Sequence, residues 1–211
     1  YNAGYKIGVL MLLVVNGFNM GWQPYFLEKN FDSRSKIYPR INSIVLAILG
    51  FIWILLLFWT DDLIKTSFLG ITFFGSDFFG SLNIIPWIGL SYFFYGFYHL
   101  QTPGVFLKSR PKYAAWTRLF GAFTNIGLCF LLIPIFGALG AAYATCISFG
   151  LMALSMFFIN RYLIFVKLEY KSLIIIFLLL FISYAAFSVY QDNYIVNLLI
   201  MFFYIAVIFY F

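Results

Sequence analysis

Of 211 residues, 64% are hydrophobic and 9% charged, with a formal net charge of +6. A water-facing surface ordinarily needs about 25% charged residues, so these proportions exclude a soluble globular domain. In water, 29 Phe and 5 Trp would drive aggregation.

A helix needs about 20 apolar residues to cross the roughly 30 Å hydrocarbon layer. Seven stretches meet that need, at 4–26, 41–60, 83–102, 114–134, 138–159, 172–189 and 193–211. Only helices and closed barrels satisfy every backbone group in lipid. Barrel strands would alternate polar with apolar over about 10 residues, and runs such as "LIIIFLLLFISYAAF" do not alternate. The expected fold is all-α, a polytopic transmembrane helical bundle of about seven spans. The chain opens on Tyr1 close to a span and closes on "MFFYIAVIFYF", so a fragment of a longer protein is expected rather than a complete one.

Span one carries Asn16, Asn19 and Gln23 at i, i+3 and i+7, on one helical face. Polar side chains within a span face the bundle interior or a water-filled cavity, so these amides either bond between helices or line a transport path. Lys6, nearer the other end, either snorkels to the headgroups or joins that path. Pro24 is expected to kink or end the helix. After span two, residues 61–82 are Phe-rich and broken by Gly and Ser. They are expected to lie along the interface or to extend span two as a bent helix.

Span three, "PWIGLSYFFYGFYHLQT", sets Tyr92, Tyr95, His99 and Thr102 on one face. His99 is the only histidine, so no multi-histidine metal site is expected. Its open readings are packing, cavity lining and proton coupling. Span four sets Arg118, Gly121, Ala122 and Asn125 on one face. Arg118 lies about a turn into the membrane, where it snorkels, pairs with Glu28 or Asp32, or meets an anionic substrate. No span holds a carboxylate well away from its ends, which argues against an acidic sodium or proton site.

Spans four and five form the hairpin "GAFTNIGLCFLLIPIFGALGAAYATCIS". Gly137, Ala141, Ala144 and Ser148 share a face with Gly140 beside them, a small-residue surface for close helix packing. Pro134 and Gly137 are expected to make its tight turn. Cys129 and Cys146 lie in spans and read as small hydrophobes. Neither a phosphate loop nor a Ser/His/Asp arrangement is present, so no catalytic residue, metal or cofactor is expected, and the chain is not read as an enzyme.

Eleven Lys and Arg residues fall on one side, in the linkers after spans one, three and five and the foot of span four. The opposite linkers hold Lys65 with Asp61, Asp62, Asp77 and Asp192. Lys and Arg of short loops stay cytoplasmic, which puts Tyr1 outside and Phe211 inside. The charge therefore points to membrane lipids rather than nucleic acid.

Two segments carry a resemblance. "YNAGYKIGVLMLLVVNGFNMGWQPYF" and "NIGLCFLLIPIFGALGAAYATCIS" resemble segments of the lipid-linked oligosaccharide (O-antigen) flippases. These form the polysaccharide-transport branch of the multidrug/oligosaccharidyl-lipid/polysaccharide exporter superfamily. The resemblance covers the whole chain and fits the second half of a fourteen-span protein. It implies that 1–159 is part of the C-terminal transport lobe and that 160–211 supplies two additional spans. It further implies a bacterial cytoplasmic-membrane protein that flips an undecaprenyl-pyrophosphate-linked repeat unit for surface polysaccharide, alongside glycan polymerase and export machinery. Substrate-path candidates from the helical faces are Lys6, Asn19, Gln23, His99, Arg118 and Asn125, with Lys6 and Arg118 able to complement a phosphate. The alternatives are a multidrug or peptidoglycan-precursor exporter of the same superfamily, and, from other classes, a multi-span glycan polymerase or acyltransferase or a structural membrane subunit.

Overall fold

The computed structural model describes residues 5–6, 8–27, 37–65, 67–68, 71–72, 83–164, 168–190 and 193–208. It is an all-α bundle. In chain order the helices are α1 (Leu10–Leu27), α2 (Tyr38–Lys65), α3 (Ile85–Gln101), α4 (Pro103–Leu107), α5 (Lys112–Phe136), α6 (Ala138–Leu163), α7 (Tyr170–Tyr190) and α8 (Tyr194–Ile208). Between α2 and α3 lies a two-residue antiparallel pair, β1 (Ser67–Phe68) and β2 (Ile71–Thr72), with Ser67 opposite Thr72.

Four helices are long and apolar enough to cross a membrane: the Tyr38–Thr60 part of α2, then α5, α6 and α7. The remaining apolar helices are shorter, α1 with 18 residues, α3 with 17 and α8 with 15. Large apolar side chains stand on the outer surface of these helices. Phe123 is 71% exposed, Phe130 78% and Phe181 71%, a surface suited to lipid chains and unsuited to water.

Prolines explain several boundaries. Pro39 sits in the first turn of α2 and Pro86 in that of α3, where a missing N–H costs nothing. At the other end of α3, Pro103 has no N–H to continue the ladder, so the chain turns off through α4. Pro24 and Pro134 do not end their helices; each lies inside, near the C-terminus of α1 or α5. Only about one turn follows, so the lost bond redirects little backbone. The hairpin turn between α5 and α6 is Gly137 alone, at φ 57°, a left-handed conformation that glycine takes without strain.

α3 is the centre of the bundle. Phe93, Tyr98, Ile88 and Leu100 on it are fully buried, against α1, α2 and α6. α1 runs parallel to α3, since a side chain on Gly8 would meet Ile88 and one on Gly96 would meet Val15. α2 runs antiparallel to α3: Tyr38 reaches Leu100 at one end and Trp53 donates its indole N–H to the Pro86 carbonyl at the other, 2.7 Å away. α5 lies along α6 alone, apart from contacts near its start, and leaves most of its surface open. The alternation gathers Arg40, Lys108, Arg110, Lys112, Arg161 and Lys171 at one end of the bundle, the basic end. Asn83 and Gly137 lie at the opposite end.

Candidate functional site

A row of aromatic and polar side chains follows one face of α3. The hydroxyls of Tyr5 and Tyr92 share a 2.8 Å hydrogen bond, which joins the segment before α1 to the middle of α3. Tyr92 meets Tyr95 edge-on at 6.5 Å, and both touch Phe149 of α6. One turn on, Tyr95 stacks with Tyr98 at 6.1 Å and meets the His99 ring edge-on at 4.5 Å. Arg118 of α5 closes the row toward the basic end. Its Nε donates to the Tyr98 hydroxyl at 3.2 Å, and its guanidinium lies 5.7 Å from that ring centre.

The helical spacing on α3 produces this order, because residues three and four apart share a face. His99 is buried, and its Nε2 has no hydrogen-bond partner among the described residues. Thr102 donates to the His99 carbonyl at 2.8 Å. Arg118 is exposed, so its remaining guanidinium hydrogens stay accessible beside a fixed Nε. Lys6, next to Tyr5 in sequence, is exposed at the other end of the row.

The other nominated residues lie apart from it. Asn19 and Gln23 are half-buried on α1 and line an open groove with Met20, Pro24 and Leu27. The Asn19 Oδ1 is buried without a partner among the described residues. Asn125 is engaged within the hairpin: its amide donates to Thr145 Oγ1 at 3.4 Å, and its Oδ1 accepts from the Cys129 thiol at 3.7 Å. The pairing of Arg118 with Glu28 or Asp32 falls on residues outside those described. Among the described residues no group of three or more His, Cys, Asp or Glu gathers as a metal site.

Gly140, Ala144 and Ser148 are buried in the α5–α6 hairpin, Ala141 is half-buried, and Gly137 is exposed at the turn. The tightest approach is at Gly140, where an added Cβ would overlap the backbone carbonyl of Leu132 and stand 2.9 Å from the Ile133 nitrogen. Ser148 returns its hydroxyl to the Ala144 carbonyl at 2.6 Å, so it presents no free donor to the interface.

A second polar group was not singled out in the sequence. Near the basic end, Tyr38, Asn42, Gln101 and Asn160 are all buried and bonded together. Tyr38 donates its hydroxyl to the Leu100 carbonyl at 2.7 Å and accepts from the Asn160 amide at 3.1 Å. Asn160 also donates to Gln101 Oε1 at 3.2 Å, and Gln101 donates to Asn42 Oδ1 at 3.0 Å. Asn42 closes the set by donating to the Tyr38 carbonyl at 2.9 Å. α2, α3 and α6 are thereby fixed in register. The Asn160 amide lies against Gly104 of α4, where a side chain would overlap it. The available signal was an amide within about one turn of the basic end of each of three helices, Asn42, Gln101 and Asn160.

Asn160→Leu strips one donor each from the Tyr38 hydroxyl and Gln101 Oε1, leaving that hydroxyl its Leu100 carbonyl and Gln101 Oε1 a 3.3 Å contact with the same hydroxyl. Each lost hydrogen bond costs about 0.5–1.5 kcal/mol. Detergent-solubilised Asn160→Leu is expected to melt several degrees below wild type. Thr124→Ala, which removes only a hydroxyl bonded to Phe120 of its own helix, is expected to melt unchanged. Equal midpoints for the two variants would show that the knot adds no stability.

What the arrangement can do chemically is bind. It combines one fixed guanidinium and a line of phenol rings, with no paired acid and base among the described residues. No family model, no curated protein and no solved structure matches the chain.

Proposed function

We propose that this chain is part of a bacterial cytoplasmic-membrane transporter that moves an undecaprenyl-pyrophosphate-linked oligosaccharide from the inner to the outer leaflet. The observation that carries the reading is the row from Tyr5 along Tyr92, Tyr95 and Tyr98 to the guanidinium of Arg118. A lipid-linked glycan needs its charged diphosphate and its hydroxyl-rich sugars sheltered from the hydrocarbon core. Arg118 supplies charge-assisted donors for phosphate, and Tyr5 and Tyr95, the tyrosines of the row that are not buried, offer apolar faces with polar tips to sugars. The resemblance of the two quoted segments to the flippase branch points to the same substrate class.

On this reading the basic end is cytoplasmic and Arg118 meets the diphosphate near the leaflet from which it departs. No bond is made or broken. The glycan polymerase and export machinery would take the product on the outer side.

Deleting the complete gene in the source organism is expected to abolish surface polysaccharide and to leave undecaprenyl-linked repeat units trapped in the inner leaflet. Normal surface polysaccharide in the deletion strain would end the reading. Orientation has its own check. Single cysteines at Ser35, Lys112 or Lys167 of an otherwise Cys-free chain are expected to resist an impermeant thiol reagent added to intact cells, whereas Ser76 or Asp192 positions are expected to label. Labelling at Ser35 would invert the topology.

A further inference from the structure

Three cations fall within five residues where α4 turns into α5: Lys108, Arg110 and Lys112, all exposed. The backbone fixes the turn that carries them. Arg110 donates its N–H to the Val105 carbonyl and Ser109 donates to Phe106, both at 2.9 Å. This pair of bonds closes a Schellman cap. Ser109 takes the left-handed position of that cap at φ 52°, uncommon for a residue other than glycine. Pro111, at φ −60°, then leads into α5.

None of the three cations meets a carboxylate among the described residues; the Lys112 ammonium lies 5.7 Å from the Tyr113 ring centre. The sequence offers little to neutralise them. Eleven Lys and Arg of the basic side face Glu28, Asp32 and Glu169, and no Asp or Glu stands between Asp77 and Glu169. Glu169 itself accepts from the Ser43 and Ser172 hydroxyls. Whatever pairs form, an excess of positive charge stays at this end.

An apolar stripe runs along α5 from the turn. Lys112, Trp116, Phe120 and Phe123 recur at three- and four-residue spacing and share one exposed face. That face is opposite Ala114, Thr117 and Gly121, which are buried, Gly121 against Met152 of α6. Trp116 is 67% exposed, and its indole N–H has no hydrogen-bond partner among the described residues. Arg118 is turned elsewhere, to Tyr98 of α3.

The order along this face is cation, amphipathic ring, apolar side chains. A phospholipid has the same order: phosphodiester, glycerol ester, acyl chain. Arg110 and Lys112 can give charge-assisted donors to the phosphodiester, and a Trp at headgroup depth keeps its ring in the apolar layer and its N–H in the polar one. A free anion would use only the cations. A zwitterionic lipid would bring its own ammonium against three positive charges, so the turn selects a lipid of net negative charge.

We propose that the α4–α5 turn and the outer face of α5 form a binding site for one anionic phospholipid, its phosphate on Arg110 and Lys112 and its glycerol region beside Trp116. The site requires the chain to be in a bilayer and depends neither on transport nor on orientation.

The complete protein is placed in phosphatidylcholine nanodiscs that contain a minor fraction of acyl-brominated phosphatidylglycerol or acyl-brominated phosphatidylcholine. Bromine quenches tryptophan on contact, and the Trp116 contribution is the difference between wild type and Trp116→Phe. Phosphatidylglycerol is expected to reach half-quenching of Trp116 at a mole fraction about fivefold or more below that of phosphatidylcholine. Arg110→Gln/Lys112→Gln is expected to bring the two lipids level. Arg161→Gln/Lys171→Gln, which removes equal charge from the same end, is expected to keep the selectivity, and millimolar inorganic phosphate is expected not to compete. Four results would overturn the assignment. Equal quenching by both lipids in wild type would remove the selectivity, and its survival in Arg110→Gln/Lys112→Gln would remove the residues. Equal loss in the two double variants would mean a diffuse surface field. Release by inorganic phosphate would mean a site for free anions.

Discussion

Gly140→Leu is expected to lower the melting midpoint of the solubilised protein by roughly 6–12 °C, the value for an overpacking cost near 3 kcal/mol in a chain of this size. The obstacle is backbone. A Cβ on Gly140 would overlap the Leu132 carbonyl and crowd the Ile133 nitrogen, and neither can rotate away as a side-chain tip would. The helices must separate or the α5 terminus must unwind, and both outcomes release the packing of α5, whose principal neighbour is α6. Ala144→Leu adds volume at a position that is fully buried, so an overpacking cost applies there as well. Gly127→Ala supplies the contrast. It lies on α5 with nothing within 4 Å of its added Cβ, so relief of glycine's low helix propensity leaves the midpoint equal or slightly higher. Three similar melting profiles for Gly140→Leu, Gly127→Ala and wild type would mean that the hairpin is not held by close approach.

The hairpin also shows what a sequence makes legible. Length and apolarity fix the existence of α5 and α6, and of the small residues nominated for their packing it is Gly140 that comes closest to α5. The shortness of the connection fixes them as antiparallel neighbours. Gly137 could be placed in the turn because only glycine takes φ 57° freely. Pro134 was expected to share that turn and instead lies within α5. The expectation treated proline as a stop, yet a proline followed by only part of a turn costs one hydrogen bond and deflects little.

Other features depended on partners that periodicity does not name. Tyr92, Tyr95 and His99 could be put on one face of α3 by spacing, and they do touch in sequence along it. Nothing in the spacing says that Tyr5 or Arg118 would join them from other helices. The knot of Tyr38, Asn42, Gln101 and Asn160 was illegible for the same reason. Asn160 lies 122 residues from Tyr38 and 59 from Gln101, and each amide by itself looks like an ordinary polar residue near a helix end. Asn125 illustrates the converse. Its position on the Arg118 face suggested a substrate path, but the neighbouring helix supplies Thr145 as a partner. A helical face is a local property, and occupancy of that face is a tertiary one.

Arg118→Ala is expected to reduce surface polysaccharide at least tenfold in cells carrying the complete gene, at unchanged membrane abundance. A hydrogen bond to a charged group contributes about 1.5–3 kcal/mol, and Arg118 can give phosphate a bidentate pair. Its Nε is already held by the Tyr98 hydroxyl at 3.2 Å, which fixes the guanidinium plane and leaves the terminal nitrogens for a ligand. Arg118→Lys keeps the charge and loses the fork, so transport should fall between wild type and Arg118→Ala. Tyr98→Phe keeps the ring beneath the cation and removes the acceptor for Nε together with a long 3.4 Å donation to the Ala114 carbonyl, so it should cost less than Arg118→Ala and little further in an Arg118→Ala background. That non-additivity separates positioning from an independent role of Tyr98. If Arg118 only anchors α5 at the membrane surface, Arg118→Lys restores full output and Tyr98→Phe is silent. If Arg118 serves folding, Arg118→Ala lowers abundance in parallel with polysaccharide. Loss of transport at constant abundance, graded from Lys to Ala, is the pattern that a phosphate-holding guanidinium alone produces.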